Sequence, residues 1–249
     1  AFVEDFFSNR GAGLNITLPL KAEAFEIADT LDDDSKSCQA VNTLKPVNGK
    51  LSGFNTDGVG FLTDLEAWHG IAVKDKRILL LGSGGAAKGI VRPLLSREPK
   101  TLVIANRTHA SARALADQLN SENFIGIEGL GLDDTQLMKK RFDIIINATS
   151  AGHKNSEMPI DEDFLEDAIC YDLSYGPAAS FFRWAESSGA KISIVSRAFL
   201  TCLSGRMDLI VRILCKRSAS LTRMTRRSLD IAMNSLRKFS ACRDWVLLS

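Results

Sequence analysis

The stretch Arg77-Ile78-Leu79-Leu80-Leu81-Gly82-Ser83-Gly84-Gly85-Ala86-Ala87-Lys88-Gly89 decides the fold. Its first five residues form a short apolar run that stops at glycine, the pattern of a strand buried on both faces. The next six fit G-x-G-x-x-A, and a helical stretch follows over 85–97. A glycine pattern alone is weak, but between a strand and a helix it marks a dinucleotide-binding turn. Gly82 permits the tight turn, and Gly84 lets backbone approach a pyrophosphate. Ser83, Gly85 and Ala86 complete the loop where the helix N-terminus offers free N–H groups and a positive dipole end.

Working outward, strand and helix alternate. Strands are predicted at 101–105, 142–146, 168–172 and 191–195, with helices at about 109–120 and 178–188. This alternation predicts an α/β fold, a doubly wound parallel (Rossmann) sheet. Residues 1–68 read differently, with short strands at 13–18, 40–46 and 50–54 between helices at about 2–9, 21–30 and 57–68. They predict a second, smaller α/β domain. The domain boundaries are thus 1–68, 69–195 and a remaining segment, 196–249.

The end of the second Rossmann strand bears on the cofactor. Enzymes that use NAD usually carry an Asp or Glu there to hold the ribose 2′-OH. Here the chain reads Asn106-Arg107-Thr108, without a carboxylate. Arg107 is a planar cation suited to the 2′-phosphate of NADP, and Asn106 and Thr108 add neutral hydrogen bonds. NADP is therefore the expected cofactor. Asn147 and Thr149 follow the third strand at the carboxyl end of the sheet, where such folds bind ligands.

Composition narrows the class. The chain has 249 residues, 45% hydrophobic and 24% charged, as ordinary globular proteins do. No apolar run reaches membrane-spanning length, and the start lacks the order of a secretory signal. Five cysteines without C-x-x-C spacing point to a reducing cytoplasm rather than disulfides or zinc. The three scattered histidines form no ligand pattern, so no metal is expected.

Two further junctions carry chemistry. Asn15-Ile16-Thr17-Leu18-Pro19-Leu20-Lys21 ends a strand and opens a helix, and Asn55-Thr56-Asp57-Gly58 does the same. Singly, each is compatible with a helix start and no more. Together with Ala40-Val41-Asn42-Thr43, the glycine loop, Asn106-Arg107-Thr108, Asn147-Ala148-Thr149-Ser150 and Tyr171–Pro177, they resemble the shikimate/quinate dehydrogenase family, in the family's order. The resemblance implies NADP-dependent, reversible reduction of 3-dehydroshikimate to shikimate in aromatic amino acid biosynthesis. It implies Lys21 and Asp57 as the catalytic pair and Thr17, Asn42 and Tyr175 as substrate contacts. The chemistry suits them: a carbonyl that receives hydride needs a proton, which a Lys ammonium can donate. A polyhydroxylated substrate is selected by pairing each hydroxyl. The alternatives are an NAD(P)-dependent quinate/shikimate dehydrogenase or a homologue that only binds nucleotide.

Two departures stand against the family pattern. Its N-terminal strand and Ser-x-Ser segment have no counterpart here, so the chain is expected to be truncated at its start. An open edge on the small sheet, and weak activity, are the expected results. The family's closing segment, with its substrate-contacting Gln, is also replaced after Val195. Residues 196–249 hold 11 Lys and Arg against 3 Asp and Glu, whereas 1–195 hold 20 against 27. A reading-frame shift near 195 is expected to explain the change, in preference to a basic module for nucleic acid or membrane. The expected partner is the small-molecule substrate alone, with the protein a monomer or homodimer.

Overall fold

The computed structural model describes residues 2–17, 19–122, 124, 126–149, 160–174, 179–195 and 245–248. These divide into two compact units. The first is built from residues up to Thr63 with Ala67–His69 and the strand at 245–248. The second comprises Asp64–Glu66 and Gly70 onward through residue 195.

The first unit begins with α1 (Phe2–Ser8) and β1 (Gly13–Ile16), then α2 (Lys21–Ile27), β2 (Thr30–Leu31) and α3 (Asp33–Cys38). β3 (Thr43–Val47) and β4 (Lys50–Phe54) form a hairpin closed by Asn48-Gly49, both at positive φ, the conformation a type I′ turn requires. α4 (Asp57–Leu62) then runs into π-helical turns at Thr63–Trp68. A distant strand, β11 (Trp245–Leu248), joins this sheet, and the strand order is β11-β1-β3-β4-β2. The core gathers Leu14, Ile16, Ala24, Val41 and Leu44. The expected open edge beside β1 is not present. β11 lies parallel to β1, from Gly13 opposite Trp245 to Ile16 opposite Leu248. Edge N–H and C=O groups accept any extended backbone, so composition alone could not disclose this partner.

The second unit is the doubly wound sheet. β5 (Arg77–Leu81), α5 (Gly85–Leu95), β6 (Thr101–Asn106), α6 (His109–Ser121) and β7 (Ile127–Gly131) make its first half. α7 (Thr135–Met138), β8 (Ile144–Asn147), a 3₁₀ turn at Glu162–Leu165, β9 (Ile169–Asp172), α8 (Ser180–Ser187) and β10 (Ile192–Val195) make its second. All strands are parallel, in the order β10-β9-β8-β5-β6-β7. The order reverses between β5 and β8, which defines the crevice where such sheets bind ligands. Leu79, Leu81, Val103, Ile145 and Phe181 lie in the core beside it. β7 was absent from the sequence reading.

At the amino ends of β5 and β8, Arg77 clamps Asp143. Its Nη2 reaches Oδ1 at 2.8 Å and its Nε reaches Oδ2 at 3.2 Å, while the Arg77 backbone N–H donates to Oδ2 at 2.8 Å. The guanidinium holds the carboxyl down at about 2, against 3.8 ordinarily. A depressed carboxyl stabilises the fold above its unfolded value, and that contribution is lost as pH falls through the folded value. Both groups are partly solvated, so Arg77→Met should cost only about 0.5–1 kcal/mol at neutral pH. In urea melts, the gap between wild type and variant should close from about pH 4 down to about pH 2.

Candidate active site

In the first unit three junctions meet, two running from strand to helix and one from helix to strand. β1 ends before Thr17, whose carbonyl accepts from Leu20 N in the turn that opens α2 at Lys21. Asn42 precedes β3, and its backbone joins both neighbours: Ile16 N donates to Asn42 O, and Asn42 N donates to Phe54 O. Asp57 opens α4 directly after β4.

The side chains follow that framework. Lys21 Nζ lies 2.6 Å from Asp57 Oδ2, both partly exposed. Asn42 Nδ2 donates to Asp57 Oδ1 at 2.8 Å, so each oxygen of the carboxylate is engaged. Asn42 Oδ1 in turn accepts from Thr56 N at 3.1 Å and Thr43 Oγ1 at 2.9 Å. The result is a partly solvated ammonium held by a carboxylate that a buried amide fixes in place. Such an arrangement can deliver or accept one proton at a defined point.

Sequence reasoning passed over the group that orients Asp57. Asn55 Oδ1 accepts from Asp57 N at 3.0 Å, while its Nδ2 reaches Ala40 O at 3.0 Å and Cys38 Sγ at 3.1 Å. Burial pushes the Cys38 thiol up, so it meets that amide as a neutral group. Asn15 was also given no role. It is buried on β1, and its Oδ1 has no hydrogen-bond partner among the described residues. A buried carbonyl oxygen without a donor is costly, and a ligand hydroxyl would satisfy it. Thr17 is half-buried beside this group, and Tyr175 lies outside the described residues.

In the second unit the glycine loop has the geometry its pattern predicts. Gly82 adopts φ +102°, and a Cβ there would lie 3.0 Å from Ala148 O and Thr149 Cγ2. Gly84 and Gly85 instead face open space, and with Ala86 they are exposed where α5 begins. Half-buried Ser83 lies between Gly82 and Gly84. Exposed N–H groups at a helix start, uncrowded by side chains, fit a pyrophosphate. Asn106 Nδ2 closes the turn after β6 by donating to Thr108 O at 3.2 Å, leaving Arg107 and Thr108 exposed before α6. Asn147 Oδ1 accepts from Thr149 N at 3.1 Å and from Thr149 Oγ1 at 2.6 Å.

A second buried network was not anticipated. Asp172, fully buried at the end of β9, accepts from Asn147 Nδ2, Ser174 N and Phe182 N, each at 3.0 Å. Burial pushes its carboxyl up, and these hydrogen bonds pull against that. Next to it, Tyr171 Oη donates to Asp64 Oδ2 at 2.5 Å. Among the described residues, no cluster of His, Cys, Asp or Glu is placed to hold a metal ion, and no helix is long and apolar enough to cross a membrane.

A dinucleotide-binding Rossmann sheet joined to a smaller unit with a Lys–Asp pair defines a class of two-domain α/β oxidoreductases. Comparison with known proteins specifies the family. Residues 66–163 match the family described as shikimate / quinate 5-dehydrogenase, and residues 1–44 match the shikimate dehydrogenase substrate binding domain. The chain is 43% identical over 195 residues to the shikimate dehydrogenase (NADP(+)) of Janthinobacterium sp. (strain Marseille), covering 77% of this chain and 69% of that one. Among solved structures it resembles an Ael1 enzyme from Pseudomonas putida at 37% identity and a TM-score of 0.71, covering 78% and 70% of the two chains. It also resembles the shikimate 5-dehydrogenase of Thermus thermophilus in complex with NADP(H) and shikimate, at 28% identity and a TM-score of 0.63, covering 91% and 78%. The chain belongs to the shikimate dehydrogenase family.

The two loop glycines separate architecture from ligand binding. Gly82→Val should destabilise the fold by about 1–3 kcal/mol through its positive φ and close neighbours. Gly84→Ala should change stability by less than about 0.5 kcal/mol yet weaken NADP⁺ binding, because its methyl enters the open space. Thermal melts and NADP⁺ titration by tryptophan fluorescence check the pair.

Proposed function

We propose that the chain reduces 3-dehydroshikimate to shikimate reversibly, with NADP(H) as cofactor and Lys21 and Asp57 as the catalytic pair. The 2.6 Å contact between Lys21 Nζ and Asp57 Oδ2, buttressed by Asn42, carries the assignment. NADPH, when bound, supplies the hydride. As the carbonyl oxygen of the substrate gains negative charge, the Lys21 ammonium donates a proton to it. In the reverse direction the neutral amine takes that proton back from the carbinol. Asp57 orients the ammonium and balances its charge, and it offers an acceptor to a ring hydroxyl.

Asn42, Thr17 and Asn15 supply further polar atoms for the substrate's hydroxyls and carboxylate, with Tyr175 completing the set. This pairing is what separates a polyhydroxylated ring from analogues that lack one hydroxyl. Gly82, Ser83, Gly84, Gly85 and Ala86 hold the pyrophosphate. Asn106, Arg107 and Thr108 hold the 2′-phosphate, and Asn147 and Thr149 the remaining half of the cofactor. Residues 1–68 act as the substrate domain and 69–195 as the nucleotide domain. The cysteine pattern supports the cytoplasm as the compartment.

With shikimate and NADP⁺ supplied, absorbance should rise as NADPH forms. Lys21→Ala should lower kcat by about 10²- to 10⁴-fold while leaving NADP⁺ affinity unchanged. Turnover by Lys21→Ala equal to wild type would overturn the catalytic assignment. Arg107→Ala should raise the KM for NADP⁺ by about 10- to 100-fold through loss of a charge-assisted hydrogen bond, leaving the KM for NAD⁺ unaltered. Steady-state kinetics with both cofactors tests this.

A further inference from the structure

Asp172 is a fully buried carboxylate that the proposed chemistry does not use. Its surroundings suit an acid. At the carboxyl ends of β8 and β9, three donors converge on it from three different segments. Asn147 Nδ2 comes from the end of β8, and Ser174 N from the turn after β9. Phe182 N comes from the first turn of α8. An ionised carboxylate is acceptor-only, so it can receive all three; a neutral amide in its place would turn an N–H toward one of the donors.

The hydrogen bond to Asn147 has a consequence beyond packing. With Nδ2 committed to Asp172, the Asn147 amide must turn its Oδ1 the other way. That oxygen receives both the backbone N–H and the hydroxyl of Thr149. The chain of contacts thus runs from α8 through Asp172 and Asn147 to Thr149. Thr149 in turn sits where a Cβ on Gly82 would touch it.

We infer that Asp172 is a positioning residue for the cofactor: through Asn147 it sets the Thr149 turn against which the nicotinamide half of NADP is bound. The assignment to that half follows from topology. The two halves of a doubly wound sheet each take one mononucleotide. Arg107 lies in the β5–β7 half, which leaves the β8–β10 half for nicotinamide. The inference rests on the reading that Asn147 and Thr149 face the cofactor.

The test compares binding of NADP⁺ with binding of adenosine 2′,5′-bisphosphate, which carries the 2′-phosphate but no nicotinamide. Both are titrated by calorimetry on the full chain, in wild type, Asp172→Asn, Asn147→Ala and the double variant. Asp172→Asn should weaken NADP⁺ about tenfold and leave the bisphosphate within about twofold of wild type. Asn147→Ala should do the same, and the double variant should be no worse than Asn147→Ala alone, as groups acting in series behave.

Equal weakening of both ligands by Asp172→Asn and by Asn147→Ala would mean a merely structural role and would overturn the inference. So would unchanged NADP⁺ binding in either single variant. If Asp172→Asn fails to fold, Asn147→Ala alone decides by the same ratio. Wild-type protein that binds the bisphosphate but not NADP⁺ would instead remove the underlying reading, and the inference with it.

Discussion

The register of three parallel strands is the constraint on which the nucleotide unit depends. Leu81 pairs with Ala105 on one side and with Asn147 on the other. Gly82, Asn106 and Ala148 therefore lie at the same level, although each belongs to a different stretch of sequence. Backbone hydrogen bonds extend that level by one step beyond the strands, from Gly82 N to Ala105 O and from Ala148 N to Leu81 O. A slip of one residue would turn every side chain to the opposite face. It would also carry Arg107 and Thr149 away from the glycine loop together. The site is in this sense a property of the ladder, with the side chains added to it.

The smaller unit is organised by polar contacts as well as by its core. Its apolar cluster is modest, whereas Asn15, Asn42 and Asn55 are all buried. Each buried amide left without a partner would cost about 1–3 kcal/mol. This makes the network around Asp57 demanding of geometry: Asn42 and Asn55 are satisfied only when three junctions meet as they do here. The same requirement holds the Lys21–Asp57 pair at one separation. Apolar packing is not directional and would tolerate several.

Much of this was legible in the sequence because its signals are local. The glycine loop, the Asn106–Thr108 turn and the Lys21 and Asp57 junctions each carry their pattern within a few residues. β7 was missed for a physical reason. Ile127-Glu128-Gly129-Leu130-Gly131 reads as a loop, yet Gly129 is there because a Cβ would lie 2.5 Å from Ala112 O and Arg113 Cα. The glycine admits α6 against the strand, and nothing in its neighbours reveals that. β2 is two residues long, too short for any period to show. Asn55 and Asp172 were quoted within motifs but given no task. Their partners, Cys38 and Ala40 in one case and Phe182 and Asn147 in the other, are set by the tertiary fold. Asn15 has the same difficulty in sharper form, since its distinguishing feature is a missing donor.

The pairing of β1 with β11 bears on how the chain is made. Among the described residues, the outer neighbour of β1 is the strand at 245–248, far from residues 13–16 in sequence. During translation the β5–β10 sheet can complete all its ladders before that strand has left the ribosome. Until those residues emerge, the β1–β11 ladder cannot form. Closing a loop of that length costs chain entropy before any contact repays it, so this ladder is the slowest of its sheet to form.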